Sequence, residues 1–122
     1  MGTGRRPTEL TLRAYRWGSI VVVVAHGAID ATNFHRFDGF LSEKQGAHDV
    51  ILDLVDLTAL DRSGVRIVTQ AAKRAERTGW GFAVVAEPHG AAAEAIRGYR
   101  LGSRVQMLSS RQAARDALQL MH

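Results

Sequence analysis

The sequence predicts an α/β domain built on a mixed, mostly parallel sheet of about five strands with about four helices. Two observations lead to this prediction. After an opening hairpin, short apolar runs alternate with helical patterns, and turn residues separate most of these segments. The resulting order, β-β-α-β-α-β-α-β-α, requires right-handed crossovers between parallel strands. At 122 residues the chain is expected to form one domain, residues 9–122, behind a disordered tail of residues 1–8.

The first two strands are predicted to form an antiparallel hairpin. Leu10, Leu12 and Ala14 alternate with polar residues, which is typical of a half-exposed strand. Residues 17–19, Trp-Gly-Ser, predict a tight turn. The continuous apolar run over residues 20–25 then predicts a second strand that is buried on both faces.

A helix is predicted next, from about Ala31 to Gln45. Asp30 directly precedes it and is expected to be its N-cap, because aspartate accepts hydrogen bonds from free N–H groups there. Gly46 is expected to end the helix. Its apolar stripe has helical spacing and comprises Phe34, Phe37 and Leu41.

A buried strand over residues 49–54 leads to a second predicted helix that ends near Thr78, before Gly79. The short polar stretch Asp61-Arg62-Ser63-Gly64 lies between strand and helix. The inner face of the helix is predicted to contain Val65, Val68, Ala72 and Ala75.

The remainder of the chain continues the alternation. Residues 80–86 predict a strand, and residues 91–99 predict an alanine-rich helix shortly after Pro88. A short strand is expected over residues 105–108. Residues 109–112 have the S-x-x-Q pattern of a capping box, which predicts the start of a last helix running to about Leu120.

Composition excludes several kinds of site. The sequence has no cysteine, so disulfides, thiolate metal sites and cysteine nucleophiles are excluded. No apolar run approaches the ~20 residues of a membrane span, and residues 1–7 lack the apolar segment of a secretory signal, so a cytoplasmic protein without a membrane partner is expected. The net charge of +4 comes mainly from scattered arginines, which favours a solvated surface or an acidic protein partner over direct nucleic-acid binding.

Motifs for catalysis and cofactor binding are missing from the sequence. Ser63 does not lie in a G-x-S-x-G motif, because Asp61 stands where its first glycine would be. Neither a G-x-G-x-x-G nor a G-x-x-x-x-G-K-[ST] phosphate-binding motif is present. A receiver domain would need an acidic pair after its first parallel strand, and residues 25–27 read Ala-His-Gly. The five histidines lack metal-ligand spacing. We therefore expect no enzymatic activity, no cofactor and no metal.

Ser63 is the candidate for a switch because it lies at or beside a predicted helix N-terminus. Free backbone N–H groups and the helix dipole favour an anion there, including a phosphate on the serine itself. The residues alone also allow a plain structural role, since serine is a preferred N-cap. Two roles are likewise possible for Asp61: it caps the helix, or it orients the Ser63 hydroxyl for modification.

Several short segments and their order along the chain resemble those of STAS domains, specifically the single-domain bacterial anti-sigma factor antagonists, also called anti-anti-sigma factors. The resemblance covers about residues 9–120. The segments that carry it are residues 27–30, residues 51–54 with residues 60–64, residues 81–85, and the closing helix over residues 113–118.

The resemblance implies a partner-switching role in transcription regulation, such as the stress response. The unmodified protein would bind an anti-sigma factor and so free a sigma factor. In the family that anti-sigma factor often doubles as a serine kinase, which phosphorylates the second hydroxyl residue of an Asp-Ser-Ser-Gly motif, and a phosphatase restores the active form. By position the phosphoacceptor is Ser63. A monomer or weak homodimer is expected, and the implied partner-binding residues are Asp30, Asp61, Arg62, Gly64 and Arg66.

The chain departs from that motif at one position. Arg62 stands where the family has the first serine of the pair. Its guanidinium can pair with a phosphate on Ser63, or it can contact the partner directly. The alternative role is that of a non-phosphorylated STAS module, either an accessory subunit of a lipid-transport ABC ATPase or an interaction module of a larger signalling assembly.

Overall fold

Six strands and four helices follow one another in the computed structural model, which describes residues 9–99 and 105–121. The predicted tail, residues 1–8, lies outside the described residues. The elements are β1 (Leu10–Trp17), β2 (Ile20–Ile29), α1 (Phe34–Lys44), β3 (Asp49–Asp53), β4 (Leu57–Leu60), α2 (Arg62–Thr78), β5 (Phe82–Val85), α3 (Ala91–Tyr99), β6 (Met107–Leu108) and α4 (Arg111–Gln119).

The strands form a single mixed sheet in the order β1-β2-β3-β5-β6. β1 and β2 form the predicted antiparallel hairpin, with Trp17 opposite Ile20. The pairings of β2 with β3, β3 with β5 and β5 with β6 are parallel, so the predicted mixed, mostly parallel α/β fold is confirmed. None of the helices in the described ranges has both the length and the apolar character needed to cross a membrane.

The sequence prediction missed β4, the strand that pairs with the end of β2 in parallel, with Leu60 opposite Ile29. Only Leu57 and Leu60 are buried in this strand, and the two residues between them are exposed. Four residues with two exposed positions give a weak pattern. The prediction also ended β2 too early. β2 pairs with β3 as far as Val24, and it then continues to Ile29, pairing with β4 from Gly27 onward.

The bend in β2 depends on Gly27. Its φ is +110°, and the register of the β2–β4 pairing shifts between Gly27 and Ala28. A Cβ atom at residue 27 would lie 2.2 Å from the backbone oxygen of Glu9, at the start of β1. Only glycine combines this backbone conformation with so close an approach.

The two faces of the sheet are covered differently. Helices α1, α2 and α3 bury the larger core cluster, which includes the fully buried Phe37 and Leu41 of α1. Helix α4 alone packs on the other face, where Leu118 is fully buried. Each such side chain stabilises the fold by roughly 1.5–3 kcal/mol relative to an exposed one.

The start of α1 differs from the prediction. Asp30 is not its N-cap, because the helix begins at Phe34 and Asn33 holds the capping position. The Oδ1 atom of Asp30 instead accepts a hydrogen bond from the backbone N–H of Thr32 at 2.8 Å, which closes a turn over residues 30–33. This local bond delays the helix by three residues relative to the predicted start at Ala31.

Two features of the second half also differ from the prediction. The N-cap of α4 is Ser110 rather than Ser109, since the Ser110 hydroxyl oxygen accepts a hydrogen bond from Ala113 N–H at 3.0 Å. Trp80 was assigned to a strand, but it is 39% exposed and precedes β5, which begins at Phe82. Gly79 ends α2 in the left-handed conformation, and a Cβ atom at Gly81 would lie 2.6 Å from Leu118 Cδ2.

Helix α4 is tied to the centre of the sheet by Arg111. Its guanidinium donates hydrogen bonds to the buried Asp53 carboxylate at the end of β3 and, at 2.6 Å, to the Tyr15 hydroxyl on β1. The other Asp53 oxygen accepts from Val55 N–H at 2.9 Å. The hydrogen bond with Asp53 raises the pKa of Arg111, so the guanidinium stays charged.

Arg111→Ala is expected to lower the free energy of unfolding by about 1.5–3 kcal/mol, because the buried Asp53 carboxylate loses its charged partner. Urea denaturation measures the effect. Arg13→Ala is the control, since Arg13 is an exposed arginine on β1, the strand that also carries Tyr15. Equal midpoints for the two variants would contradict the role given to Arg111.

Candidate functional site

The candidate site lies at the edge of the sheet where the parallel strands β2 and β4 end side by side. Asp61 N–H donates to the carbonyl oxygen of Ile29 at 3.1 Å, which extends the strand pairing by one residue. Asp30 follows Ile29, and Asp61 follows Leu60. The two carboxylates that the sequence placed in one site therefore belong to adjacent chain segments at the carboxyl ends of these strands.

Asp61 is the N-cap of α2. Its backbone is extended, with φ −89° and ψ −177°, and its Oδ1 atom accepts a hydrogen bond from Gly64 N–H at 3.2 Å. Capping of this kind stabilises a helix by roughly 1 kcal/mol. The structural alternative for Asp61 is thus the observed one, whereas an effect of Asp61 on the Ser63 hydroxyl stays a prediction.

Ser63 is inside the first turn of α2 rather than at its N-cap. Its side chain is half-buried, and its hydroxyl makes no hydrogen bond to any part of the chain that the structure describes. The structural role that the sequence allowed for Ser63, that of a helix cap, is therefore filled by Asp61. Among these residues the Ser63 hydroxyl therefore contributes no hydrogen bond to the fold.

The first turn of α2 offers an electropositive surrounding to an anion at Ser63. The N–H groups of Arg62 and Ser63 have no acceptor within the helix, because the first turn of any helix lacks preceding carbonyls. The helix dipole adds partial positive charge at the same place. Arg62 and Arg66 are both exposed, directly before Ser63 and three residues after it.

Gly64 allows α2 to start against the ends of the two strands. A Cβ atom at residue 64 would lie 2.3 Å from Leu60 Cδ1 and 2.9 Å from Ile29 Cγ2, well inside contact distance. Leu60 and Ile29 would have to move to admit a larger side chain at residue 64. Gly64 thus sets how closely the Ser63 turn approaches the end of the sheet.

Asn33 is a site residue that sequence reasoning missed. Its Oδ1 accepts from Asp30 N–H at 3.0 Å, and its Nδ2 donates to the carbonyl oxygen of Ala28 at 2.9 Å. These two bonds hold the Asp30 loop against the end of β2. An asparagine three residues after an aspartate, just before an apolar helical pattern, was the available signal.

The arrangement places the Ser63 hydroxyl in the first turn of α2, beyond the ends of two neighbouring strands that are each followed by an aspartate. Within residues 9–99 and 105–121, no group of three or more histidine, aspartate or glutamate side chains is arranged to hold a metal ion. The chemistry that the geometry favours is covalent modification of, or protein contact with, the first turn of α2.

The family model for the STAS domain matches residues 11–114 of the sequence, which include every element except the first residue of β1 and the end of α4. The chain belongs to the STAS domain family. Membership agrees with the mixed sheet and four helices of the structure, and it confirms the resemblance found in the sequence.

Several solved structures share this fold. An anti-sigma factor antagonist from Mycobacterium paratuberculosis has a TM-score of 0.69 at 18% identity, over 93% of this chain and 97% of that one. The anti-sigma factor antagonist SpoIIAA in its unphosphorylated form has a TM-score of 0.70 at 18% identity, over 89% and 96%. The murine anion transporter Slc26a9 matches at 0.67 and 17%, over 88% of this chain but 19% of the transporter.

A search of curated protein sequences found no significant match to this chain. At identities of 17–18%, the solved structures establish a shared fold. Two of the three structural neighbours described are anti-sigma factor antagonists of nearly the same length, as the coverage of both chains shows.

Gly64→Ala is expected to lower the free energy of unfolding by about 1–3 kcal/mol, because the added methyl group clashes with Leu60 and Ile29. Thermal unfolding followed by circular dichroism measures the effect. Gly39→Ala on α1 is the matched control, since a Cβ there meets nothing within 4 Å, and it should stabilise the helix slightly. Stabilisation by both variants would contradict the packing role of Gly64.

Proposed function

We propose that this STAS domain is an anti-sigma factor antagonist that acts by binding rather than by catalysis. The unphosphorylated form binds an anti-sigma factor that is also a serine kinase, and a sigma factor is thereby freed. Phosphorylation of Ser63 reverses the binding, and a phosphatase restores it. Asp30, Asp61, Arg62, Gly64 and Arg66 form the surface around the phosphoacceptor in this proposal.

One observation carries the proposal: Ser63 stands in the first turn of α2 while Asp61 performs the capping. A hydroxyl required as a cap would make modification costly to the fold. Here a phosphate can be added to Ser63 without the loss of any hydrogen bond among the described residues. The two anti-sigma factor antagonists among the structural neighbours support the same role.

The charge of a phosphate explains how modification would alter binding more than folding. It adds about −1.5 to −2 charges, which the free N–H groups and dipole of α2 can accommodate. At an interface the same charge must lose its water, and an unpaired buried charge costs several kcal/mol. The carboxylate of Asp61 adds repulsion on the protein side.

The accessory-module alternative is favoured by a specific residue. Arg62 replaces the first serine of the family motif, and it is exposed beside Ser63. The murine transporter also illustrates that this fold occurs as a small part of a longer chain. In that role the first turn of α2 would be a constitutive contact surface and Ser63 would stay unmodified.

Phosphorylation is tested by incubating the purified chain with each anti-sigma factor of the same cell and ATP, followed by intact-mass analysis. We expect one added phosphate on Ser63 and none on Ser63→Ala, with binding of the unmodified protein retained by that variant. Ser63→Asp should bind at least tenfold more weakly, because its carboxylate imitates part of the phosphate charge. Its melting temperature should stay nearly unchanged, since Ser63 is not the cap.

Ser19→Ala is the matched control for Ser63→Ala. Ser19 is an exposed serine in the β1–β2 turn, at the opposite end of β2 from the site. Ser19→Ala is expected to take up one phosphate as the unaltered chain does, and phosphate on Ser63→Ala would show that the acceptor is another residue. If no anti-sigma factor binds or modifies the unaltered chain, the antagonist proposal is wrong and the accessory-module alternative stands.

Arg62→Ser restores the hydroxyl pair of the family motif and tests what Arg62 does. We expect phosphorylation of Ser63 to weaken binding more in this variant than in the unaltered protein, because Arg62 no longer neutralises part of the phosphate charge. Isothermal titration of phosphorylated and unphosphorylated forms measures both affinities. An unchanged affinity ratio would show that Arg62 does not pair with the phosphate.

A further inference from the structure

The outer face of α2 carries an unusual concentration of positive charge. Four of its cationic residues are exposed and lie along one line of the helix: Arg62, Arg66, Lys73 and Arg77. At 100° per residue they fall within an arc of about 60°, and they extend over about 22 Å of helix. We refer to these four residues as the basic strip.

The basic strip has no ionic partner within residues 9–99 and 105–121. None of its four side chains forms an ion pair with another described residue. Arg74 on the same helix shows the contrast, since it lies 3.9 Å from Asp38 and hydrogen-bonds Gln45 at 3.0 Å. Asp38 of α1 therefore pairs with Arg74, which is not part of the strip.

The strip lies on the layer of helices that covers the larger core. α2 packs against α1 and α3, so it is the middle helix of that layer. Its outward line of residues is exposed from the first turn to the last. A protein partner that contacts Ser63 from the solvent side can therefore contact all four residues of the strip as well.

We propose that the basic strip is a docking site for an acidic surface of a protein partner, and that a phosphate on Ser63 weakens docking because it repels that acidic surface at the first end of the strip. This inference rests on the proposed function. Ser63 lies next to Arg62 and three residues before Arg66, a spacing at which helical side chains meet. A phosphate of −1.5 to −2 charges there removes about half of the strip's charge.

An acidic protein fits the strip better than a nucleic acid does. Glu76 lies on the same helix directly before Arg77, and Asp38 borders α2 through its contact with Arg74. A continuous phosphate backbone would meet these carboxylates as well as the strip. A protein surface can instead place its carboxylates singly opposite the four cations.

The test uses the distal half of the strip, two turns and more away from Ser63. Lys73→Glu/Arg77→Glu is compared with Arg13→Glu/Arg16→Glu, which changes the same charge on exposed residues of β1. Association rates are measured by stopped flow with the anti-sigma factor that binds the unmodified chain, at low salt and at about 0.5 M salt. Circular dichroism checks that both variants are folded.

We expect the strip variant to associate about tenfold more slowly at low salt, with the difference largely lost at high salt because exposed charges are screened. The β1 variant should associate as the unaltered protein does. Equal effects of the two variants, or an effect that does not depend on salt, would overturn the docking strip and leave the proposed function intact. If no anti-sigma factor binds the unaltered chain, the proposed function fails and this inference with it.

A duplex DNA of mixed sequence is the second probe. No binding is expected from the unaltered chain at physiological salt. Binding that the strip variant loses, together with unchanged association with the anti-sigma factor, would assign the strip to nucleic acid and overturn the proposal.

Discussion

The architecture of this STAS domain depends on one bent strand. β2 pairs with β1 from Ile20 to Gly27, with β3 over its first half and with β4 over its last residues. The change of partner occurs at Gly27, where φ is +110° and the neighbouring backbone of Glu9 leaves no room for a side chain. Thr58 Oγ1 donates to the carbonyl oxygen of Gly27 at 3.0 Å, which ties β4 to the bend. Without this bend the β4 end and the start of α2 would not meet the end of β2.

The candidate site is a consequence of that pairing. Asp61 N–H bonds to Ile29, so the chain leaves β4 in a fixed direction, and Gly64 lets the helix begin in contact with both strand ends. The Asp61 carboxylate then accepts the hydrogen bond of Gly64 N–H in the first turn of α2, so the Ser63 hydroxyl is not needed as a cap. Under the proposed function, stability and switching are thus divided between neighbouring residues: Asp61 and Gly64 stabilise the turn, and Ser63 is the residue proposed to be modified. This division would make a phosphate at residue 63 compatible with an unchanged fold.

The charges of the domain are also divided between structure and surface. Arg111 is held by the buried Asp53 carboxylate and by Tyr15, and it joins α4 to the sheet. Arg74 is bound to Asp38 and Gln45 between two helices. The basic strip on α2 has no such partner among the described residues. A single net charge for the chain conceals this difference, because pairing rather than composition decides which cations can contact another molecule.

Most of the fold followed from the sequence because the signals were local. Apolar periodicity located α2, and glycine at position 79 ended it where predicted; the runs of valine and isoleucine identified β2 and β3. The sequence motif also placed Ser63 at the start of a helix. The turn that Asp30 and Asn33 form and the cap at Asp61 are local hydrogen bonds, and among several possible local bonds the structure shows which ones form. The existence of β4 was decided by tertiary structure alone. The physical reason is that this four-residue strand depends on pairing with the end of β2, which is distant in sequence, and local periodicity contains no information about which segment that partner will be.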